Sequence, residues 1–164
     1  MKFFTRAWCE GKVDESEDRG QMYVDHLAGI KSQFSPTLRA LAFDEFPLHD
    51  GLIRQIIVSR QSKSIQLLLR CGDRQMGYFD LNVSYFKVDF KHSDVSELAS
   101  VANHARTEIL YDEIDLHNES DFEHRFIFWP TGEAIIVFRE VTFEMNPASG
   151  RDFVALPKRF SELT

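Results

Sequence analysis

Cysteine, proline and glycine are all sparse in this sequence, with 2, 5 and 8 of them in 164 residues. The two cysteines, Cys9 and Cys71, form no Cys-x-x-Cys pair and are too few for a disulfide framework or a cysteine-rich zinc site, so reduced, partly buried thiols are expected. The low proline and glycine content excludes collagen and long low-complexity disorder. No apolar run approaches the roughly 18 residues that a membrane-spanning helix needs. The opening Met1-Lys2-Phe3-Phe4-Thr5-Arg6-Ala7-Trp8 also lacks the apolar stretch and small-residue cleavage site of a secretory signal, which makes the cytoplasm the expected location. Lys and Arg are outnumbered, 19 against 26 Asp and Glu, for a net charge of −7. That balance argues against sequence-independent nucleic-acid binding, whose affinity comes from cationic side chains on phosphates.

Catalytic signatures are missing too. His49, His92, His104, His117 and His124 stand apart, and no His-x-x-x-His or His-Glu-x-x-His occurs. The stretch 112–121 lacks the glycine and the ligand order of an EF-hand, and there is no nucleophile elbow or phosphate-binding glycine loop. No cofactor or metal is predicted, and folding should not depend on one.

What is present is an ordinary globular composition, 43% hydrophobic, 27% charged and 13% aromatic. A 19.1 kDa chain of this kind buries roughly 70% of its accessible surface on folding, enough for a core without staples. Tyr23, Leu27, Ile30 and Phe34 recur at intervals of four, three and four, which predicts a helix over 16–33. Thr5 is placed to cap a short opening helix bearing Trp8, and Ser35-Pro36 to open another carrying Leu38, Leu41 and Ala42. Turn chemistry at Pro47-Leu48-His49-Asp50-Gly51 ends the helical part.

From Leu52 the period changes to two, predicting strands over 52–60 and 65–70. In the next strand Phe79, Leu81, Val83 and Tyr85 share a phase that flips to Phe86, Val88 and Phe90, which suggests a β-bulge. Asp94-Val95-Ser96-Glu97 has capping-box spacing and opens a helix ending near His104. Strands over 107–116, 122–129 and 134–145 complete the pattern, the last two joined by Pro130-Thr131-Gly132. The predicted class is α+β, with N-terminal helices packed on a predominantly antiparallel meander sheet, or partly open barrel, of about six strands with one inserted short helix. One domain spans 1–164, with 1–47 mostly helical, 48–146 mostly β and 147–164 an irregular tail.

Charge is uneven along this layout. Residues 91–150 carry 4 basic against 12 acidic side chains, while residues 51–90 are net positive. Between Thr107 and His124 stand Glu108, Asp112, Glu113, Asp115, Glu119, Asp121 and Glu123 without one Lys or Arg. The leading expectation is therefore a non-enzymatic interaction domain that presents Glu108, Asp112, Asp115, Glu119 and Asp121 to a basic protein partner, as an immunity-like protein would meet a toxin or nuclease domain. The alternative is a small-molecule-binding or hydrolytic site between helices and sheet, built on His49, Asp50 and Glu113. Asp50 is expected to accept hydrogen bonds from turn backbone, and His49 to bridge the two halves. The phenylalanines at strand periodicity, such as Phe79, Phe126, Phe128 and Phe138, are core.

Three stretches together, the opening Met1-Lys2-Phe3-Phe4-Thr5, Leu48-His49-Asp50-Gly51-Leu52-Ile53 and Leu110-Tyr111-Asp112-Glu113-Ile114, resemble an uncharacterised bacterial family. Its members open with a Met-Lys-aromatic-Phe-Thr segment and carry Leu-His-Asp and Leu-Tyr-Asp/Glu-Glu-Ile motifs. The resemblance implies a bacterial origin and the helix-then-sheet layout, and it brings no activity with it. The usual aromatic after Trp8 is Cys9 here.

Overall fold

The structure is a computed structural model that describes residues 1–13, 18–43, 48–75, 77–151 and 160–163. Helix α1 (Arg6–Cys9) is capped by Thr5, whose hydroxyl accepts the Trp8 N–H. Helix α2 (Arg19–Ile30) starts at Asp18, which accepts from the Gln21 N–H at 3.0 Å, and runs on into a 3₁₀ turn at Lys31–Gln33. The expected helix over 16–33 is thus an α-helix with a tightened end, and its first two positions lie outside the described residues. Helix α3 (Pro36–Ala42) has the expected Ser35 cap and buries Leu38, Leu41 and Ala42.

The sheet is built from β1 (Leu52–Ser59), β2 (Ser64–Asp73), β3 (Gly77–Phe86), β4 (Glu108–Leu116), β5 (Phe122–Trp129), β6 (Glu133–Phe138), β7 (Glu140–Ala148) and β8 (Phe160–Leu163). Its order is β6-β5-β4-β1-β2-β3-β7, with β8 beside β1. All pairs are antiparallel except β1–β8. The α+β class with an open, mostly antiparallel sheet therefore holds, with eight strands where about six were expected.

The two extra strands have physical causes. The expected strand over 134–145 breaks at Arg139, where the chain leaves β5 as partner and takes up β3. Consecutive strands β6 and β7 consequently lie at opposite ends of the sheet order, and the sheet curls to bring its two edges within one residue of each other. The tail was expected to be irregular, yet residues 160–163 pair parallel with Ile56 to Ser59. They find an open edge there because β4 touches β1 at one register position, Leu52 with Glu108, and then diverges.

Two further expectations change. The phase flip after Tyr85 is a strand exit rather than a bulge, since Lys87 has φ +53° and residues 88–94 run along the outer edge of β6. Bulges do occur, at Arg54 in β1 and Leu110 in β4. Asp94 precedes α4 (Val95–Asn103) as expected, but its carboxylate accepts the Ile135 N–H instead of capping the helix. Ser93 accepts from Val137 in the same way, so the edge of β6 is covered by side chains as well as backbone.

One continuous core joins the helices to the inner face of the sheet, from Leu27, Phe34, Leu38 and Leu41 to Ile53, Leu67, Leu81, Phe126 and Phe138. No helix among the described residues is long and apolar enough to cross a membrane.

Candidate functional site

β4 diverges from β1 after Glu108, and the N-terminal segment and α2 pack against β4, with α3 close by on the side of β7. Tyr23 of α2 satisfies the exposed backbone of β4 by accepting the Ile114 N–H at 2.5 Å. Between these helices and β4 lies a cleft of about 520 Å³ whose walls include Phe4, Tyr23, Leu41, His49, Tyr111 and Asp112. Small-molecule sites are commonly ~300–1,000 Å³.

Aromatic rings form one side of the cleft. Phe4 stacks on Tyr111 with centroids 5.0 Å apart and meets Tyr23 edge-on at 5.4 Å. Trp8 and His49 back Tyr111 at 5.1 and 5.2 Å. These contacts fix the rings and leave little rotamer freedom to lose on binding.

The alternation of β4 after its bulge decides which acids reach the cleft. Asp112 and Ile114 pair across to Phe126 and His124 on the core face, while Glu113 and Asp115 pair across to Arg125 and Glu123 on the opposite face. His124 is fully buried, with Nδ1 2.8 Å from the Tyr85 hydroxyl and Nε2 2.9 Å from Asp112 Oδ2. Burial, and then the nearby Asp112 charge, push the Tyr85 hydroxyl well above its ordinary pKa, so it keeps its proton. A neutral imidazole here takes the Tyr85 O–H at Nδ1 and donates its Nε2–H to Asp112. Asp112 is held from behind by this chain and is 24% exposed toward the cleft. Among the described residues its other oxygen has no partner.

His49 sits on the cleft rim, its Nδ1 hydrogen-bonded to the Leu110 carbonyl and its Nε2 3.6 Å from Asp50. That bond links the turn to β4. Asp50 differs from expectation: its backbone N–H donates to Ile109 and its φ is +61°, while its exposed carboxylate makes no bond to turn backbone among the described residues. The turn is closed by the Gly51 N–H on the Leu48 carbonyl, and glycine is required at 51 because a Cβ would stand 2.7 Å from that oxygen.

Glu113 is also displaced from its expected place. Instead of joining His49 and Asp50, it is buried on the other face of β4, accepting the backbone N–H groups of Lys2, Phe3 and Phe4 at 2.8, 2.7 and 2.6 Å. Arg125 stands 3.5 Å away.

The expected acidic surface largely dissolves into internal pairs. Asp115 is buried between Lys2 at 2.6 Å and His26 at 2.8 Å. Burial alone would raise its carboxyl, but hydrogen bonds from Lys2, His26 and the Leu116 N–H hold it below the ordinary value. Glu108 meets Arg106 and Arg151, Asp121 meets Arg139 and Asn118, and Glu123 meets Arg125 and His117. Of the seven acids, Glu119 is the one classed as exposed.

Tyr85, His124 and the role of Asp112 were missed from sequence, although a signal existed. Tyr85 follows Leu81 and Val83, and His124 precedes Phe126 and Phe128, each in the apolar phase of its strand. A histidine in a core phase needs buried partners.

Two further cavities lie among the described residues. One is lined by Lys63, Lys87, Asp89, Asp121 and Arg139, where Lys87 pairs with Glu140, Arg139 with Asp121 and Asp89 with His92. The other, about 200 Å³, lies by Arg54, Asp80 and Asn82, where Asp80 is clamped by Arg54 and Arg70. No three His, Cys, Asp or Glu side chains converge as metal ligands among the described residues. Cys71 is buried, which pushes its thiol up to about 12.

The chain matches no protein-family model, no curated protein and no solved structure. The site is therefore read from its own geometry.

Proposed function

We propose that this protein is a small-molecule-binding domain that holds its ligand in the cleft between α2, α3 and β4. The observation that carries the reading is Asp112: a carboxylate fixed by a buried His124–Tyr85 chain, with one oxygen left for an aromatic-walled cleft. Convergence of an oriented polar group with a preformed apolar wall is the usual anatomy of a ligand site. Behind Asp112 the chain ends at the buried Tyr85 hydroxyl, which holds the carboxylate in place for a ligand. An acidic docking face for a basic protein has less support, since most acids of the 108–123 stretch are engaged by cations of this same chain.

A fragment screen read by amide NMR tests the proposal. Binders should shift the signals of Leu48, His49 and Tyr111, and Val24→Trp, which fills the cleft from an exposed position on α2, should abolish those shifts. No fragment shifting these amides, or fragments binding Val24→Trp as well as wild type, would overturn it.

A further inference from the structure

We infer that the ligand of this cleft is an organic ammonium ion carrying an apolar or aromatic tail. The inference rests on the cleft being a binding site and adds the charge of what it binds.

Among the described residues that line the cleft, Asp112 is the sole formally charged side chain and none is Lys or Arg. Its Oδ2 accepts from His124, and its second oxygen has no protein partner among the described residues, although three quarters of the side chain is removed from water. A partly desolvated carboxylate with an open acceptor gains most from a cationic donor. His49 on the rim has its Nδ1 on the Leu110 carbonyl and its Nε2 3.6 Å from Asp50.

The ring faces favour the same charge. Phe4, Tyr23 and Tyr111 converge beside Asp112, and aromatic faces attract cations through their quadrupole. Tyr23 offers its ring, because its hydroxyl is tied to the backbone of Ile114. The groups around the cleft disfavour anions. After burial, the acids Asp112, Glu113 and Asp115 raise the Tyr23 hydroxyl, and Cys9 and Asp50 raise that of Tyr111. An ammonium head on Asp112 would lie against the rings, with its tail along Leu41 and Val24.

The test uses one skeleton with three charges: 2-phenylethylammonium, 2-phenylethanol and phenylacetate, titrated into the full chain and followed at the Tyr111 and His49 amides. The ammonium should bind at least about tenfold more tightly than the alcohol, and phenylacetate should not bind. Asp112→Asn should bring the ammonium down to the affinity of the alcohol. Equal affinities for all three probes, or an ammonium affinity that survives Asp112→Asn, would overturn the cation and leave the cleft reading standing. If neither these probes nor any screened fragment shifts the cleft amides, the cleft reading falls and this inference with it. Should Asp112→Asn not fold, the ranking of the three probes on wild type decides alone, with an ammonium no tighter than the alcohol counting against.

Discussion

On one face of β4, Glu113 accepts three backbone N–H groups and faces Arg125, and Asp115 is met by Lys2 and His26. On the other face, Asp112 spends one oxygen on His124 and keeps the second for a cleft. The three carboxylates are near neighbours in one acidic run, yet the first two are saturated structural anchors and the third is left partly unsatisfied. Strand alternation supplies the difference, together with what happens to cover each face. The backbone of the N-terminal segment lies over Glu113, while the ring of its Phe4 lines the cleft together with Asp112. A charged residue is a candidate for function when the fold holds it in place without using all of its valences.

The comparison breaks first, and hardest, at Glu113. Glu113→Ala would orphan the Lys2, Phe3 and Phe4 amides and remove one of the buried carboxylates around Arg125, which Glu123 still meets, and three unsatisfied donors at about 1 kcal/mol or more apiece cost about 3–5 kcal/mol. Urea unfolding should show the midpoint falling accordingly, whereas a loss below about 1 kcal/mol would mean that the N-terminal segment is not anchored there. On the core face the expected cost is smaller. Tyr85→Phe leaves the His124 Nδ1 without a donor and should cost about 1–3 kcal/mol, the penalty for one unsatisfied buried polar atom. If Tyr85→Phe proved costlier than Glu113→Ala, the two faces would have to exchange roles.

A pH titration sharpens the same contrast. The folded Asp115 carboxyl lies below its unfolded value of about 3.9, so its pairing stabilises the fold above that pH and the contribution is lost as pH falls through the folded value. Lys2 is more than half exposed, and an exposed partner contributes about 0–1 kcal/mol. Wild type should therefore exceed Lys2→Ala modestly at neutral pH and down to about pH 5, with the gap closing below about pH 4. A gap that persisted at pH 2 would show that Lys2 acts through packing instead of through Asp115.

The parts of this molecule that depend on near neighbours were legible in the sequence. Thr5, Ser35 and the spacing of Tyr23, Leu27 and Ile30 place three helices, because capping and periodicity act over three or four residues. At Arg139 the apolar phase shifts from Ala134, Ile136 and Phe138 to Val141 and Phe143, a signal that the sequence does carry, but the change of pairing partner from β5 to β3 was not legible. Nor was β8, four residues recruited by an edge more than a hundred positions upstream. The site divides in the same way. His49 was read as part of a junction from its own turn, but the fate of Glu113 depends on amides 109 to 111 residues away, and no local pattern tells it from Asp112 beside it. His124 in an apolar phase was the one sequence signal pointing to the buried chain.

Asp50 gives the smallest expected effect and a discriminating one. As the cap of its turn, its carboxylate would be needed, and Asp50→Ala and Asp50→Gly would lose it equally. In the structure the backbone closes the turn, the carboxylate faces His49 at 3.6 Å with both side chains about half exposed, and the residue sits at φ +61°. A left-handed conformation costs an L-residue about 1–2 kcal/mol, less for Asp and nothing for glycine. Asp50→Gly should therefore be neutral or stabilising by up to about 1 kcal/mol, offset in part by the greater freedom of glycine in the unfolded chain, while Asp50→Ala should lose about 1 kcal/mol. Parallel urea denaturation of the two variants and wild type separates the cases. If glycine and alanine destabilised alike, the carboxylate would regain a capping role, and Asp50 would join Glu113 among the anchored acids.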